Sequence, residues 1–116
     1  MRLNKLAEMV HDLAVQKGWW DLKVVKGEII DRSMGDQIAN FHAEISEAWE
    51  EYRNGRAPDA IYMVNGKPEG FPIELADLII RVLDTCAAYG INIEYAIRIK
   101  HKYNKTRPVR HGGKLA

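Results

Sequence analysis

The stretch that decides the fold covers residues 44–77 and reads EISEAWEEYRNGRAPDAIYMVNGKPEGFPIELAD. It opens with Glu44 and Glu47 in one helical run and closes with Glu74 and Asp77 in a second. Residues three apart lie on one face of an α-helix, so each run presents two carboxylates side by side. If the two helices pack antiparallel across the intervening loop, the four carboxylates meet. Like charges that close raise one another's pKa, and a divalent cation with oxygen ligands, Mg²⁺ above all, relieves the repulsion.

The composition indicates one globular domain spanning residues 1–116. The chain is 47% hydrophobic and 28% charged with a net charge of +1, which excludes a disordered chain and gives no argument for bulk binding to nucleic acid. Cys86 is the only cysteine, so no internal disulfide forms, and its apolar surroundings predict a buried, inert thiol. The first residues show no signal-peptide pattern, and no apolar run approaches the roughly twenty residues of a membrane span. We therefore expect a cytoplasmic protein without membrane association.

Helical periodicity of the apolar residues predicts four helices and an all-α fold. Their expected bounds are residues 2–17, Ser33 or Asp36 to about Asn54, Ile73 to about Gly90, and Asn92 to about Asn104. The polar stretch after Trp20 carries no clear pattern. Residues 55–72 are rich in glycine and proline and predict a loop, with a short strand or hairpin arm at residues 60–64.

The second and third predicted helices distribute their apolar residues differently. The second has one broad apolar face made of Ile38, Phe41, Ile45, Ala48, Trp49 and Tyr52. Glu44 and Glu47 flank that face and can point toward a partner helix, Glu50 is a candidate extra ligand, and Glu51 is expected to face solvent. The third helix is apolar almost all round, which marks it as the central one. Its charged residues are Glu74, Asp77, Arg81 and Asp84. Charges on such a helix need a partner or a metal ion.

The ligand atoms that the two motifs offer limit which metal ion can bind. A pair of acids on a helix is most often a solvated face, but here one pair lies on the most apolar helix. A di-iron bundle is the nearest alternative, yet it needs Glu-x-x-His on two helices, a pattern that both acidic runs lack. Oxygen ligands alone favour Mg²⁺ or Mn²⁺ over iron or zinc.

The end of the chain is basic, because no acidic residue follows Glu94. The candidate phosphate ligands are among Lys100, Lys102, Arg107 and Lys114, although basic residues near a helix C-terminus also gain from the helix dipole. Inner positions of the fourth helix are expected at Ile93, Ala96, Ile97 and Ile99. Trp49 is a candidate for stacking on a base, as are Trp19, Trp20 and Tyr62. Nucleic-acid binding is disfavoured, since no recognised reading motif is present.

Glu44-x-x-Glu47 followed by Glu74-x-x-Asp77 on two helices resembles the signature of the MazG-like all-α nucleoside triphosphate pyrophosphohydrolases. The neighbouring residues EISEAWE (44–50) and ELADLII (74–80) resemble this family too, as do KYNKTRP (102–108) and HGGK (111–114). The resemblance covers roughly residues 33–114 and is to the short bacterial and phage type. It implies a four-helix bundle that forms a homodimer or homotetramer, and Mg²⁺-dependent cleavage of a nucleoside triphosphate between the α and β phosphates to a monophosphate and pyrophosphate.

The resemblance also implies roles for single residues. The two acids of each motif correspond to the metal ligands of the family, namely Glu44, Glu47, Glu74 and Asp77. A carboxylate that the metal does not fully engage, Glu47 or Glu44, would act as general base. Lys102, Asn104 and Arg107 would contact the substrate. Where some members carry an aromatic hydroxyl, this chain has Arg81, which can pair with a site acid or reach a phosphate. The rival interpretation is a non-catalytic helical module that binds nucleotide or protein through the same acidic face.

Overall fold

The computed structural model describes residues 2–21, 23–25, 28–30 and 33–109. Four helices lie in this part of the chain: α1 (Leu3–Gln16), α2 (Met34–Arg53), α3 (Phe71–Ala88) and α4 (Ile93–Thr106). Two antiparallel hairpins accompany them, β1 (Lys23–Val25) with β2 (Glu28–Ile30) and β3 (Tyr62–Val64) with β4 (Lys67–Glu69). The mostly helical fold agrees with the predicted all-α class. The hairpin at β1 and β2 lies in the polar stretch for which the sequence predicted no element.

The helix starts follow from capping side chains. Ser33 accepts a hydrogen bond from the backbone N–H of Asp36 at 3.1 Å, and the Asp36 carboxylate accepts one from the N–H of Ser33 at 3.2 Å. The two residues that the sequence offered as alternative caps of α2 therefore act together as a capping box. Asn92 caps α4 as predicted, because its side chain accepts from the N–H of Tyr95 at 3.1 Å.

The loop between α2 and α3 contains a tight hairpin. Asn65 and Gly66 connect β3 to β4 with φ angles of 51° and 80°, the conformation that a two-residue type I′ turn requires. Gly70 ends the hairpin with a φ of 125°, and a Cβ there would collide with the carbonyl oxygen of Ala60. The chain consequently enters α3 at Phe71, two residues earlier than predicted, with Pro72 in the first turn.

Helix α3 is the central helix, as its sequence predicts. It packs against both α1 and α2, and its buried residues are Leu83, Asp84, Thr85 and Cys86. Thr85 lies 3.4 Å from the Gln37 amide oxygen near the start of α2, and Arg81 contacts Glu44 further along α2, so α2 and α3 run antiparallel. Burial also raises the pKa of the Cys86 thiol, which keeps it protonated.

Helix α2 turns its polar side toward α3, contrary to the simplest interpretation of its apolar face. The buried side chains of α2 are Gln37, Glu44 and Ala48, so of the predicted apolar face only Ala48 is buried. Ile38, Ile45, Trp49 and Tyr52 are 44–56% exposed. The physical reason lies in α3, whose Glu74, Asp77 and Arg81 face α2 and require polar partners.

Helix α4 projects from the other three. Among the described residues, side-chain hydrogen bonds attach it at its start, from the Asn4 amide to Asn92 at 2.8 Å and from the Asn4 N–H to Glu94 at 3.2 Å. None of its residues is buried. Ile97 and Ile99, which were expected on its inner side, are 47% and 52% exposed. The radius of gyration of 17.5 Å exceeds the roughly 13 Å of a compact chain of this length, so the four helices do not close into a compact bundle within one chain.

Among the described residues, none of the helices combines the length and the apolar character needed to cross a bilayer.

Candidate metal centre

Three of the four predicted metal ligands converge between α2 and α3. One carboxylate oxygen each from Glu44, Glu74 and Asp77 lies within 4.8 Å of the other two. Glu74 occupies the first turn of α3 and Asp77 the next, while Glu44 projects from the middle of α2. The antiparallel pairing of the two helices thus brings the acidic motifs together, as the sequence analysis expected.

The fourth predicted ligand, Glu47, lies beside this group and outside it. Glu47 is exposed, and its carboxylate lies within hydrogen-bonding reach of the Glu74 carboxyl group. Two carboxyl groups form such a contact only when one of them carries a proton. The nearby Glu47 carboxylate therefore favours the protonated form of Glu74.

The electrostatics of the group disfavour full ionisation. The pKa of Glu74 is raised from its usual value near 4.5 to about 7, first by burial and then by the contact with Glu47 and the charges of Glu47, Asp77 and Glu44. The pKa of Asp77 is also raised, first by burial and then by the charge of Glu44, while Arg81 opposes the rise. In both cases burial is the larger cause, and the neighbouring negative charges add to it.

Arg81 supplies part of the missing positive charge. Its Nε donates to Glu44 Oε1 at 2.6 Å, and the two side chains are 28% and 7% exposed. The guanidinium also lies 5.4 Å from the centre of the Trp19 ring. The sequence left two roles open for Arg81, pairing with a site acid or contacting a phosphate. The structure shows the first of them, as the ion pair with Glu44.

Two carboxylate oxygens of the group have no hydrogen-bond partner among the described residues, although both are buried. They are Glu44 Oε2 and Glu74 Oε2. A buried acceptor without a donor costs free energy, more when it is charged, so these atoms call for a ligand. Three carboxylates with oxygen donors only suit Mg²⁺ or Mn²⁺. The residues therefore fit the cation that the sequence predicted.

A second acidic group adjoins the first and shares Glu74. Glu51, Glu69 and Glu74 also bring one carboxylate oxygen each within 4.8 Å of one another. The expectation that Glu51 faces solvent is wrong, because the residue is half-buried and accepts a hydrogen bond from the Tyr62 hydroxyl at 2.9 Å. Glu69 belongs to neither helical acidic motif, and the hairpin brings it to the site. It forms an ion pair with Lys67 at 3.5 Å.

The neighbouring candidate Glu50 points away from the group. It is exposed and pairs with Arg53 at 3.2 Å on the same helix. Nothing in the contacts of Glu50 supports a ligand role within one chain.

The predicted substrate-binding residues of α4 lie apart from the acids. Lys102 and Asn104 are exposed on α4, and Arg107 caps its end with its guanidinium 5.7 Å from the Tyr103 ring centre. No hydrogen bond or ion pair between described residues joins any of these three to the acidic group. Trp49, the predicted base-stacking residue, lies on the exposed face of α2 and stacks on Tyr52 with ring centres 5.8 Å apart.

Comparison with protein-family models, curated proteins and solved structures finds no match for this chain. The arrangement of the residues offers a concentrated negative charge, two buried acceptors without a partner among the described residues, an adjacent exposed carboxylate at Glu47 and the Arg81 guanidinium at the edge.

Proposed function

We propose that this chain is a Mg²⁺-dependent nucleoside triphosphate pyrophosphohydrolase of the MazG-like, all-α type, which cleaves between the α and β phosphates. The observation that carries the proposal is the group of Glu44, Glu74 and Asp77, with ligand oxygens within 4.8 Å of one another. Two buried oxygens in that group lack a hydrogen-bond partner among the described residues. The spacing of the acidic motifs and its resemblance to the family supply the choice of reaction.

The acids of the group would hold the ion, with Mn²⁺ as the alternative to Mg²⁺. When bound, the cation supplies charge neutralisation at the phosphates and lowers the pKa of a bound water. Glu74, whose pKa is raised, must lose its proton to bind the ion, because a metal ligand has to be deprotonated. This requirement couples ion binding to pH.

Glu47 is the better placed of the two proposed general bases. Glu44 Oε1 is engaged by Arg81, and its other oxygen is buried in the ligand group. Glu47 is exposed beside that group and keeps a carboxylate that can take the proton of the attacking water. Arg81, which presents only donors, would stabilise phosphate charge at the same edge.

We propose a homodimer or homotetramer as the active form. The exposed apolar stripe of α2 supports it, since Ile38, Ile45 and Trp49 are each more than two-fifths exposed, and apolar patches of this kind mark contacts between proteins. A second copy would also bring an α4, and with it Lys102, Asn104 and Arg107, to a site that its own α4 does not reach. Ile45→Asp should shift the chain toward monomer in analytical ultracentrifugation. Met63→Asp on the β3 hairpin serves as control, since Met63 is also more than half exposed, and an unchanged mass in both variants contradicts the interface.

The decisive experiment is pyrophosphate release from a panel of ribo- and deoxyribonucleoside triphosphates, with Mg²⁺ and with EDTA. Metal-dependent release of pyrophosphate and the monophosphate is expected from at least one member. Release of orthophosphate instead would move the cleavage to the β–γ bond and contradict the proposed reaction.

The second candidate function is a non-catalytic module that binds nucleotide or protein through the acidic face. The Arg81–Glu44 pair favours it, because this guanidinium already compensates one acid in the absence of a metal ion. Nucleotide-induced thermal stabilisation without any product in the same panel would establish this function and exclude the first.

A further inference from the structure

We infer that the groove between α1 and α3 is a subsite for a single-ring base, which makes pyrimidine nucleotides the preferred substrates. The inference rests on the proposed function. Its walls are Val10 and Leu13 from α1, Trp19 after it, and Ile80 from α3. Lys17, Arg81 and Asp84 supply the charged groups of the lining.

The size of the groove selects a single ring. Its volume is about 150 Å³. An apolar cavity of about that size holds one benzene molecule, so a six-membered pyrimidine fits where the fused rings of a purine do not. Trp19 and the aliphatic side chains offer the flat, apolar contact on which a base stacks.

The groove offers almost no polar surface, although charged residues contribute to its lining. Asp84 already accepts hydrogen bonds from Trp20 Nε1 at 3.0 Å and contacts His11 Nδ1 at 2.7 Å. The groove therefore holds a ring by apolar contact, and it selects that ring by its size.

Arg81 joins the groove to the acidic group. Its side chain lines the groove, lies 5.4 Å from the Trp19 ring centre, and donates to Glu44 at 2.6 Å. A ligand that places its ring against Trp19 and its phosphates at Glu44, Glu74 and Asp77 therefore passes Arg81 on the way. The order of ring, guanidinium and acids matches the order of base, linker and phosphates in a nucleotide.

The test compares two adjacent isoleucines of α3. Ile80 lines the groove, whereas Ile79 does not, and the two are 40% and 52% exposed. Ile80→Phe fills the groove and should lower kcat/KM for CTP, UTP and their deoxy forms about tenfold or more. Ile79→Phe should leave kcat/KM unchanged. Wild-type protein should prefer these substrates over ATP and GTP by about tenfold or more, since one misfitting group in an apolar pocket costs that much.

Binding without metal separates this inference from the proposed function. In EDTA, isothermal titration with CMP or UMP should show binding to the wild type and a loss of at least about tenfold in Ile80→Phe, with AMP binding more weakly. Leu13→Phe fills the groove from α1 and replaces Ile80→Phe if that variant does not fold. Equal turnover of purines and pyrimidines, equal behaviour of the two isoleucine variants, or a change of oligomeric state in Ile80→Phe alone would overturn the subsite. Pyrimidine binding without turnover of any triphosphate would support the subsite and exclude the proposed pyrophosphohydrolase activity.

Discussion

Helix α3 contributes carboxylates to two regions of the molecule, and the hydrogen bonding of buried carboxylate oxygens differs between them. Asp84 is 4% exposed, and its oxygens contact His11 Nδ1 at 2.7 Å and accept from Trp20 Nε1 at 3.0 and 3.1 Å. Two turns earlier, the group formed with Asp77 leaves two buried oxygens without a partner among the described residues. Burial of a charge is common to both regions. The two regions differ in whether their buried carboxylate oxygens have hydrogen-bond partners. Asp84 has partners and stabilises the fold, whereas the oxygens without a described partner can bind a ligand.

Arg81 lies between the two regions on α3, and its ion pair is with Glu44 of the acidic group. It is four residues after Asp77 and three before Asp84, so both are within reach along the helix. Its Nε nevertheless goes to Glu44, since Asp84 already has the His11 and Trp20 contacts. Among the described residues, the ion pair of the acidic group is the one between Arg81 and Glu44, which leaves net negative charge for a metal ion.

Asp77→Asn tests the region proposed to hold the ion and should have the largest effect. It should lower Mg²⁺-dependent pyrophosphate release by more than about a hundredfold, because even the outer partners of metal ligands cost 10- to 100-fold when replaced. The fold should survive, and in EDTA its melting temperature should rise, since burial and the charge of Glu44 both disfavour the ionised form of Asp77.

The matched control for that substitution is Glu50→Gln. Glu50 is an exposed acid on the opposing helix whose contact is with Arg53, so the variant should keep its activity and its melting temperature. Full activity of Asp77→Asn would contradict the proposed metal centre. Loss of the helical circular dichroism signal in this variant would show that Asp77 has a structural role instead.

Asp84→Ala tests the satisfied region and should affect stability instead of Mg²⁺ binding. It removes the acceptor of two donors, each worth about 1.5–3 kcal/mol when one partner is charged, so the free energy of unfolding should fall by about 3 kcal/mol. Urea denaturation measures that change, with the exposed Asp59→Ala as control. The affinity for Mg²⁺ should not change. A loss of Mg²⁺ binding without a loss of stability would reverse the roles assigned to the two regions.

The sequence predicted the helices and the acidic pairs because both depend on local spacing. Capping at Ser33 and Asn92, the turn at Asn65 and the central place of α3 follow from residue types that favour one backbone conformation or one degree of burial. The same spacing did not reveal which face of α2 packs inward. That choice depends on the charges of α3, a non-local contact that the pattern of α2 does not contain.

The parts of the site that the sequence missed come from outside the helices or from longer-range contacts. Glu69 reaches Glu74 through the β3–β4 hairpin, and a lone glutamate in a loop gives no signal of that kind. The expected inner face of α4 was inferred from periodicity, which indicates that a face is apolar but not whether the same chain covers it. Ile97 and Ile99 are exposed in one chain for that reason.

The smallest expected effect is a dependence of stability on pH that sets the acidic group apart from ordinary surface acids. In EDTA, folding raises the pKa of Glu74 from near 4.5 to about 7, so the native chain keeps a proton that the unfolded chain releases between those values. The free energy of unfolding should therefore fall as pH rises from about 4.5 to about 7 and stay lower above it. Urea midpoints at several pH values should show this slope in the wild type and a weaker one in Glu74→Gln. Saturating Mg²⁺ should stabilise the wild type more at pH 8 than at pH 5, because the ion binds only the deprotonated carboxylates. Parallel slopes for the two proteins in EDTA would mean that Glu74 is ionised throughout, and the case for a ligand at its buried oxygen would then rest on geometry alone.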